Sequence, residues 1–401
     1  MFRRDKSGPR DAYFLRMQAA LKAAGITQPT LVIDHGRLDQ NMTQLRHDLP
    51  TQMGLRIVAK SLPSIPLLKT VAKGTGTDRF MTFNAPMLRE LQAEFPLADQ
   101  LLGKPFPVKA AAEFYSNQSS GAPKGRIGWL IDSVERLAQY GELATSRSQP
   151  IEVSLELDVG LHRGGFAPGD VLARALELIR DTAHLSLHGF MGYEAHIAKA
   201  PTALGMRKSA LAKAQALYRA ALAQARDVFG ADHVHQMTRN AAGSPTFRFY
   251  KDTDIANEVS VGSALMRPTD FDTDMLTLYA PSLFIATPAL KVTGPMQTPV
   301  LEGLDRIKNA LDPNLAKRVF IHGGYWKGVP VDPPGLANNP TYGRSSNQEL
   351  LTGGAKLALA PDDFVFLRPT QSEAVLLHFG DIAVYRDGAI TDQWAPMAIS
   401  A

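Results

Sequence analysis

Short apolar runs alternate with longer stretches whose apolar residues return every three or four positions, and this alternation fills the first two thirds of the chain. "TLVIDHGRLDQNMTQL" goes from strand to helix, with Leu38, Met42 and Leu45 on one face. "LRIVAK" reads as a strand and "IPLLKTVAKG" as a helix closed by Gly74 as its C-cap. "RFMTFN" precedes the helix "APMLRELQAEF"; "DQLLGKPF" follows, then "RIGWLID" and the helix "SVERLAQYGELA". "IEVSLELDVG" is a strand ending in a glycine-bearing loop. "LSLHGFMGYEAH" is another, before an alanine-rich helix from about Thr202 to Phe229. "HVHQMTRNAAGSPT" and "ANEVSVGSALM" read as two more strands. About eight strands in βα order predict a parallel sheet, closed as a barrel or open and doubly wound.

After Phe271 the texture changes. "SLFIATPALKV", "KRVFIHGG", "DFVFLRP", "EAVLLHF" and "DIAVYRDGAIT" are strand-like pieces separated by Gly, Pro and Asp turns, with no convincing helix between most of them. They predict a second, mainly antiparallel β domain beginning near residue 272. "VPVDPPGLANNPTYGRSSNQ" reads as a long polar loop, and loops of that size are usually functional or mobile.

Composition narrows the classes. The chain has 401 residues, a formal charge of +4 and no cysteine. Disulfides, thiolate metal sites and a cysteine nucleophile are therefore excluded. The densest basic run, Arg3, Arg4 and Lys6, reads as a solvated tail, and no basic stripe interleaved with aromatics suggests nucleic-acid binding. No apolar run reaches membrane-spanning length, and the N-terminus lacks the apolar core of a signal peptide. A cytoplasmic location is the expectation.

The chemistry concentrates at strand ends, where a barrel places its working groups. Lys60 follows the apolar run "RIVA". A lysine there either snorkels to the rim or, with its charge disfavoured by burial, serves as an amine nucleophile that forms a Schiff base with a carbonyl. "LDVGLHRGGF" places Asp158, Gly160, Arg163 and Gly165 after a strand, and Arg163 could aim a donor fork at an anionic oxygen. Ala242, Gly243, Ser244 and Thr246 form one small-residue loop, and Gly262 with Ser263 forms another. Small residues expose backbone N–H groups that make an anion nest, and two such loops at late barrel strands match the usual phosphate position of that fold. "GYEAH" brings Tyr193 and His196 to a further strand end. An amine nucleophile, a phosphate nest and an arginine for an oxyanion together suggest pyridoxal 5'-phosphate.

On these motifs the chain resembles the fold-type III pyridoxal-phosphate enzymes, the alanine racemase fold, and within it the D-threonine aldolase and D-serine dehydratase group. The resemblance runs along most of residues 28 to 270. It implies a TIM-like (β/α)8 barrel over 28–271, a C-terminal mainly antiparallel β domain over 272–401, and an N-terminal segment, 1–27, that joins the β domain. "PTLVIDHGRLDQNM" resembles the group's opening strand and helix, and "VAKSLPS" its cofactor-lysine segment, which makes Lys60 the Schiff-base lysine. "LDVGLHRGGF" resembles the segment whose arginine contacts the cofactor's phenolic oxygen, a role that falls to Arg163. "GFMGYEAH" resembles the strand whose tyrosine and histidine, here Tyr193 and His196, face the ring. Ala242, Gly243, Ser244, Gly262 and Ser263 match the phosphate cradle. A homodimer is implied, with active sites shared between one subunit's barrel and the other's β domain.

Two departures stand out. The group's metal ligands, a His-x-Asp or His-x-Cys pair after a Gly-Asp strand, are missing: Asp387, Gly388 and Ala389 stand there, His378 comes too early, and no later histidine exists. No metal is expected at that site, which puts both retro-aldol cleavage and β-hydroxyl elimination in question unless a side chain substitutes. Alanine racemases hold the pyridine nitrogen with an arginine where this chain has Ser260, so the ring's protonation state stays open. "FIHGGYWKG" offers His322, Tyr325 and Lys327, and "NPTYGRSSNQ" offers Tyr342, Arg344 and Ser345, as acid, base or carboxylate anchor. The expected activity is a pyridoxal-phosphate-dependent lyase, an aldolase or dehydratase, acting on a small D-amino acid with a β-hydroxyl. The alternatives are a metal-independent racemase or epimerase using His322 or Tyr325 as second base, and a non-catalytic cofactor carrier.

Overall fold

The computed structural model describes residues 3–117 and 125–398; the expected domain segments extend at their outer ends to residues 1–2 and 399–401, which lie outside the described residues. The chain divides into two compact units.

One unit spans Met42–Ala264 with two short later segments, and its centre is a closed eight-stranded parallel barrel. The strands are Gly54–Val58, Arg79–Thr82, Asp99–Leu102, Ile127–Ile131, Ile151–Leu157, Leu185–Gly192, Thr238–Ala241 and Glu258–Val261. The last returns to the first, with Gly54 to Ile57 paired in parallel register with Glu258 to Val261. Helices between them cover the outside, which is why strands such as Ile127–Ile131 are buried at every position. The helix after the first strand, Ile65–Thr75, is capped by Gly76 at φ 72° rather than by Gly74. Gly74 lies inside the helix, where an added Cβ would meet the Met42 sulfur at 2.5 Å. "HVHQ" falls in a helix, Ala231–Gln236, and the strand starts only at Thr238.

The other unit contains the chain up to Asn41, Leu265–Asp272 and Leu278–Pro396. It carries a nine-stranded, mainly antiparallel sheet. The strand Thr30–Asp34, expected to open the barrel, lies instead in this sheet, antiparallel to Leu283–Thr293 and parallel to Ile382–Arg386. All five of its residues are buried, so its pattern is the same as that of a barrel strand, and only distant partners distinguish the two. The helix Ala12–Ala23, capped by the Asp11 side chain, packs Phe14, Met17 and Leu21 against Phe284, Phe364 and Phe366. A second helix, Glu302–Leu311, stands between two of the strand-like pieces, most of which are joined without one. No helix among the described residues is long and apolar enough to cross a membrane.

Candidate active site

Lys60 stands in a one-turn 3-10 helix, Ala59–Ser61, directly after the strand Gly54–Val58. Its neighbours Ala59 and Ser61 are buried and Lys60 is half-buried, so packing holds the backbone while the side chain keeps access to the barrel mouth. Its Nζ lies 4.6 Å from the centre of the Phe83 ring, which follows the next strand. The ring offers its face to the amine and excludes water from one side.

The two small-residue loops are tied to each other and to the lysine segment. The Ser61 and Ser263 hydroxyls are 2.9 Å apart. Ser244 Oγ accepts the backbone N–H groups of Gly262 at 3.2 Å and Ala264 at 2.9 Å. The Gly243 N–H donates to Thr246 Oγ1 at 3.2 Å. A Cβ on Gly262 would stand 2.8 Å from the Val58 carbonyl oxygen, so only glycine allows this approach of the two backbones. Ala242 sits at φ 64°, a left-handed conformation that L side chains rarely adopt.

Tyr193 covers the first loop. A Cβ on Gly243 would come within 2.5 Å of the tyrosine's Cε2. The Arg163 guanidinium lies 5.5 Å from the centre of the same tyrosine ring and 3.8 Å from Glu156, with more than half of its side chain exposed. Burial pushes the Glu156 carboxyl up, and Arg163 opposes the shift. The loop that carries Arg163 is shaped by Asp158, which accepts the N–H groups of Gly160 and His162 and meets the His162 ring at 2.8 Å. His196 leans on this loop: a Cβ on Gly160 would lie 3.4 Å from its Nε2. Its Nδ1 is buried with no hydrogen-bond partner among the described residues. Burial, then the charge of His162, lowers the His196 pKa.

Ser260 closes a buried polar chain across the barrel. Glu258 receives Arg56 through both oxygens, at 2.5 and 3.0 Å, and Arg79 at 3.0 Å. It also accepts the Asn240 amide N–H at 2.7 Å. That orients the amide so that Asn240 Oδ1 accepts the Ser260 hydroxyl at 3.0 Å. With its proton committed to Asn240, Ser260 has only lone pairs left to present to another group.

His322, Tyr325 and Arg344 belong to the β-sheet unit. His322 ends the strand Lys317–His322, opposite Gln348. Tyr325, at φ 56°, is largely exposed. Arg344 binds the Glu349 carboxylate and, at 2.9 Å, the Trp326 carbonyl, so much of its donor fork is already engaged. Asp387 and Gly388, both at positive φ, form the two-residue tip of the hairpin Ile382–Arg386 and Ala389–Trp394. Asp387 is almost fully exposed and Ala389 has no donor atom, so this tip does not fit the metal-ligand pair of the resembled enzymes. Among the described residues, no group of three or more His, Cys, Asp or Glu could hold a metal ion.

Sequence reasoning missed Glu194, Phe83, and the chain of Arg56, Glu258 and Asn240. The signal for Arg56 and Glu258 was present: each places a charge in a buried barrel strand, "LRIVA" and "NEVSV". A buried charge needs a paired partner, and the two strands turn out to be neighbours.

The donor set at the barrel mouth fits pyridoxal phosphate: an amine beside an aromatic face, a tyrosine ring on a glycine loop, and serine hydroxyls and backbone amides in two joined loops. Residues 33–269 match the alanine racemase N-terminal domain family, and the chain belongs to that family, which is of the fold-type III pyridoxal-phosphate kind. Among solved structures, D-threonine aldolase from Filomicrobium marinum is similar at a TM-score of 0.71 and 15% identity, covering 92% of this chain and 96% of that one. D-threo-3-hydroxyaspartate dehydratase from Delftia sp. HT23 matches at 0.67 and 16%, covering 92% and 97%. Alanine racemase from Clostridium difficile 630 matches at 0.68 and 14%, covering 93% and 99%. No curated protein matches the chain.

Proposed function

We propose that this protein is a pyridoxal-phosphate-dependent lyase acting on a small D-amino acid with a β-hydroxyl, by aldol-type cleavage or dehydration. The observation that carries the reading is Lys60 at a barrel-strand end, joined through Ser61 and Ser263 to two interlocked small-residue loops. Similarity to an aldolase and a dehydratase supports the reaction class. Bound pyridoxal phosphate supplies an electron sink for charge that develops at the substrate.

The residues of this chain have separate tasks in that proposal. Lys60 would hold the cofactor through its amine, and the same amine is the group placed to take a proton from the substrate. Ala242, Gly243, Ser244, Gly262 and Ser263 cradle the phosphate. Arg163 faces the cofactor's phenolic oxygen, and Tyr193 and His196 face its ring. Ser260, whose hydroxyl donates to Asn240, would offer the ring nitrogen a lone pair. We infer no metal at the 387–389 hairpin. His322, Tyr325 and Arg344 are the acid, base and anchor candidates of the β unit, in a homodimer.

Two measurements test this. Lys60→Ala abolishes the visible absorption of the cofactor-loaded protein; an unchanged spectrum sinks the assignment. Offered D-threonine, D-serine and D-3-hydroxyaspartate, the protein yields glycine plus an aldehyde, or a 2-oxo acid plus ammonia, with or without chelator. Activity lost to chelator contradicts the metal-free reading. Inverted substrate with neither product puts the racemase in its place.

A further inference from the structure

Glu194 follows Tyr193 at the end of the strand Leu185–Gly192, and none of the steps above uses it. Only 1% of its surface is exposed. Its Oε2 accepts the Ala242 N–H at 3.3 Å and the Tyr250 hydroxyl at 3.1 Å. Its Oε1 is buried with no partner among the described residues. An acid taken this far from water persists only where it holds something in place or meets a ligand.

What it holds is the least relaxed point of the phosphate loop. Ala242 at φ 64° carries a backbone penalty that a glycine would escape. The Ala242 and Gly243 N–H groups are taken by Glu194 and Thr246, so what these bonds fix is the course of the loop backbone that leads to Ser244. The bond from the Ala242 N–H to Glu194 opposes its relaxation, and Thr246 fixes the next amide, that of Gly243.

We propose that Glu194 is a positioning residue for the phosphate loop: by holding Ala242 left-handed it keeps the 242–244 backbone set for a phosphate ester. The proposal rests on the pyridoxal-phosphate reading. It makes the contribution of Glu194 specific to ligands that bear the phosphate, which a general packing role would not do.

The test titrates the full-length protein with pyridoxal 5'-phosphate and with pyridoxal, followed by protein fluorescence. In Glu194→Ala, affinity for pyridoxal 5'-phosphate falls about tenfold, the upper value of one ordinary hydrogen bond, while affinity for pyridoxal changes less than about twofold. Glu194→Gln, which keeps an acceptor oxygen for the Ala242 N–H, restores affinity to within about threefold of the natural protein. If Glu194→Ala does not fold, Glu194→Met preserves the volume, removes the acceptor and carries the same expectation. Equal losses for the two ligands, or no loss for either, overturn the proposal. A natural protein that does not prefer pyridoxal 5'-phosphate to pyridoxal overturns the cofactor reading itself, a result visible before any variant is made.

Discussion

His196 titrates differently in the folded and the unfolded chain. Burial and the neighbouring His162 both disfavour its imidazolium, while Asp158 only partly offsets them. The unfolded chain takes up this proton near about pH 6.5, and the folded protein takes it up at lower pH. Between the two values the unfolded state binds more protons, so the stability His196 contributes is present above about pH 6.5 and declines as pH falls below it. An NMR titration of the imidazole ring, assigned with His196→Gln, will find the midpoint below the ordinary value; a midpoint at or above about 6.5 contradicts the environment described here. The neutral ring keeps an acceptor nitrogen at neutral pH.

The loops and the strand ends beneath them act together as elements. Loop 242–246 is bound to loop 262–264 through Ser244, and that loop to the Lys60 turn through Ser61 and the close approach of Gly262 to Val58. Gly262→Ala sets a methyl 2.8 Å from the Val58 carbonyl oxygen, which is backbone and has little room to yield. The expected cost is about 1–3 kcal/mol of stability in urea unfolding, with weaker cofactor binding because both loops shift. A stable variant with unchanged binding would show that the approach is looser than described. None of these ties is legible in the chain. Glycine and serine at strand ends suggest a nest, but which serine bonds which amide depends on segments 18 to 202 residues apart.

For the whole molecule, the barrel interior carries charge where a purely apolar core would be simpler. Arg56 is fully buried and bridges Glu258 and Asp99, and it also donates to the Phe80 and Asp99 carbonyls. Burial alone would raise the Asp99 pKa, but Arg56 and His188 hold its carboxyl well below the usual range. Asp99 therefore adds stability above the ordinary carboxylate pKa that is lost in strong acid. Glu258→Ala leaves the Arg56 guanidinium buried with a partner removed, and the expected loss is about 3–5 kcal/mol in urea unfolding. A loss below about 1 kcal/mol, the range of an exposed pair, would contradict this role. The same change frees the Asn240 amide, so the hydrogen-bond direction at Ser260 is lost with it.

The chain by itself determined the βα alternation, the texture change after Phe271, and the place of Lys60, Tyr193, His196 and the two small-residue loops at strand ends. All of these rest on local spacing: periodicity, turn chemistry and the residue that follows an apolar run. Tertiary structure alone decided that Thr30–Asp34 joins the antiparallel sheet, that Gly76 and not Gly74 ends its helix, and that Arg56 meets Glu258. It also decided that Glu194 reaches Ala242. Strand partners and buried ion pairs are long-range choices, made by which surfaces close the barrel and which polar atoms must then be satisfied away from water.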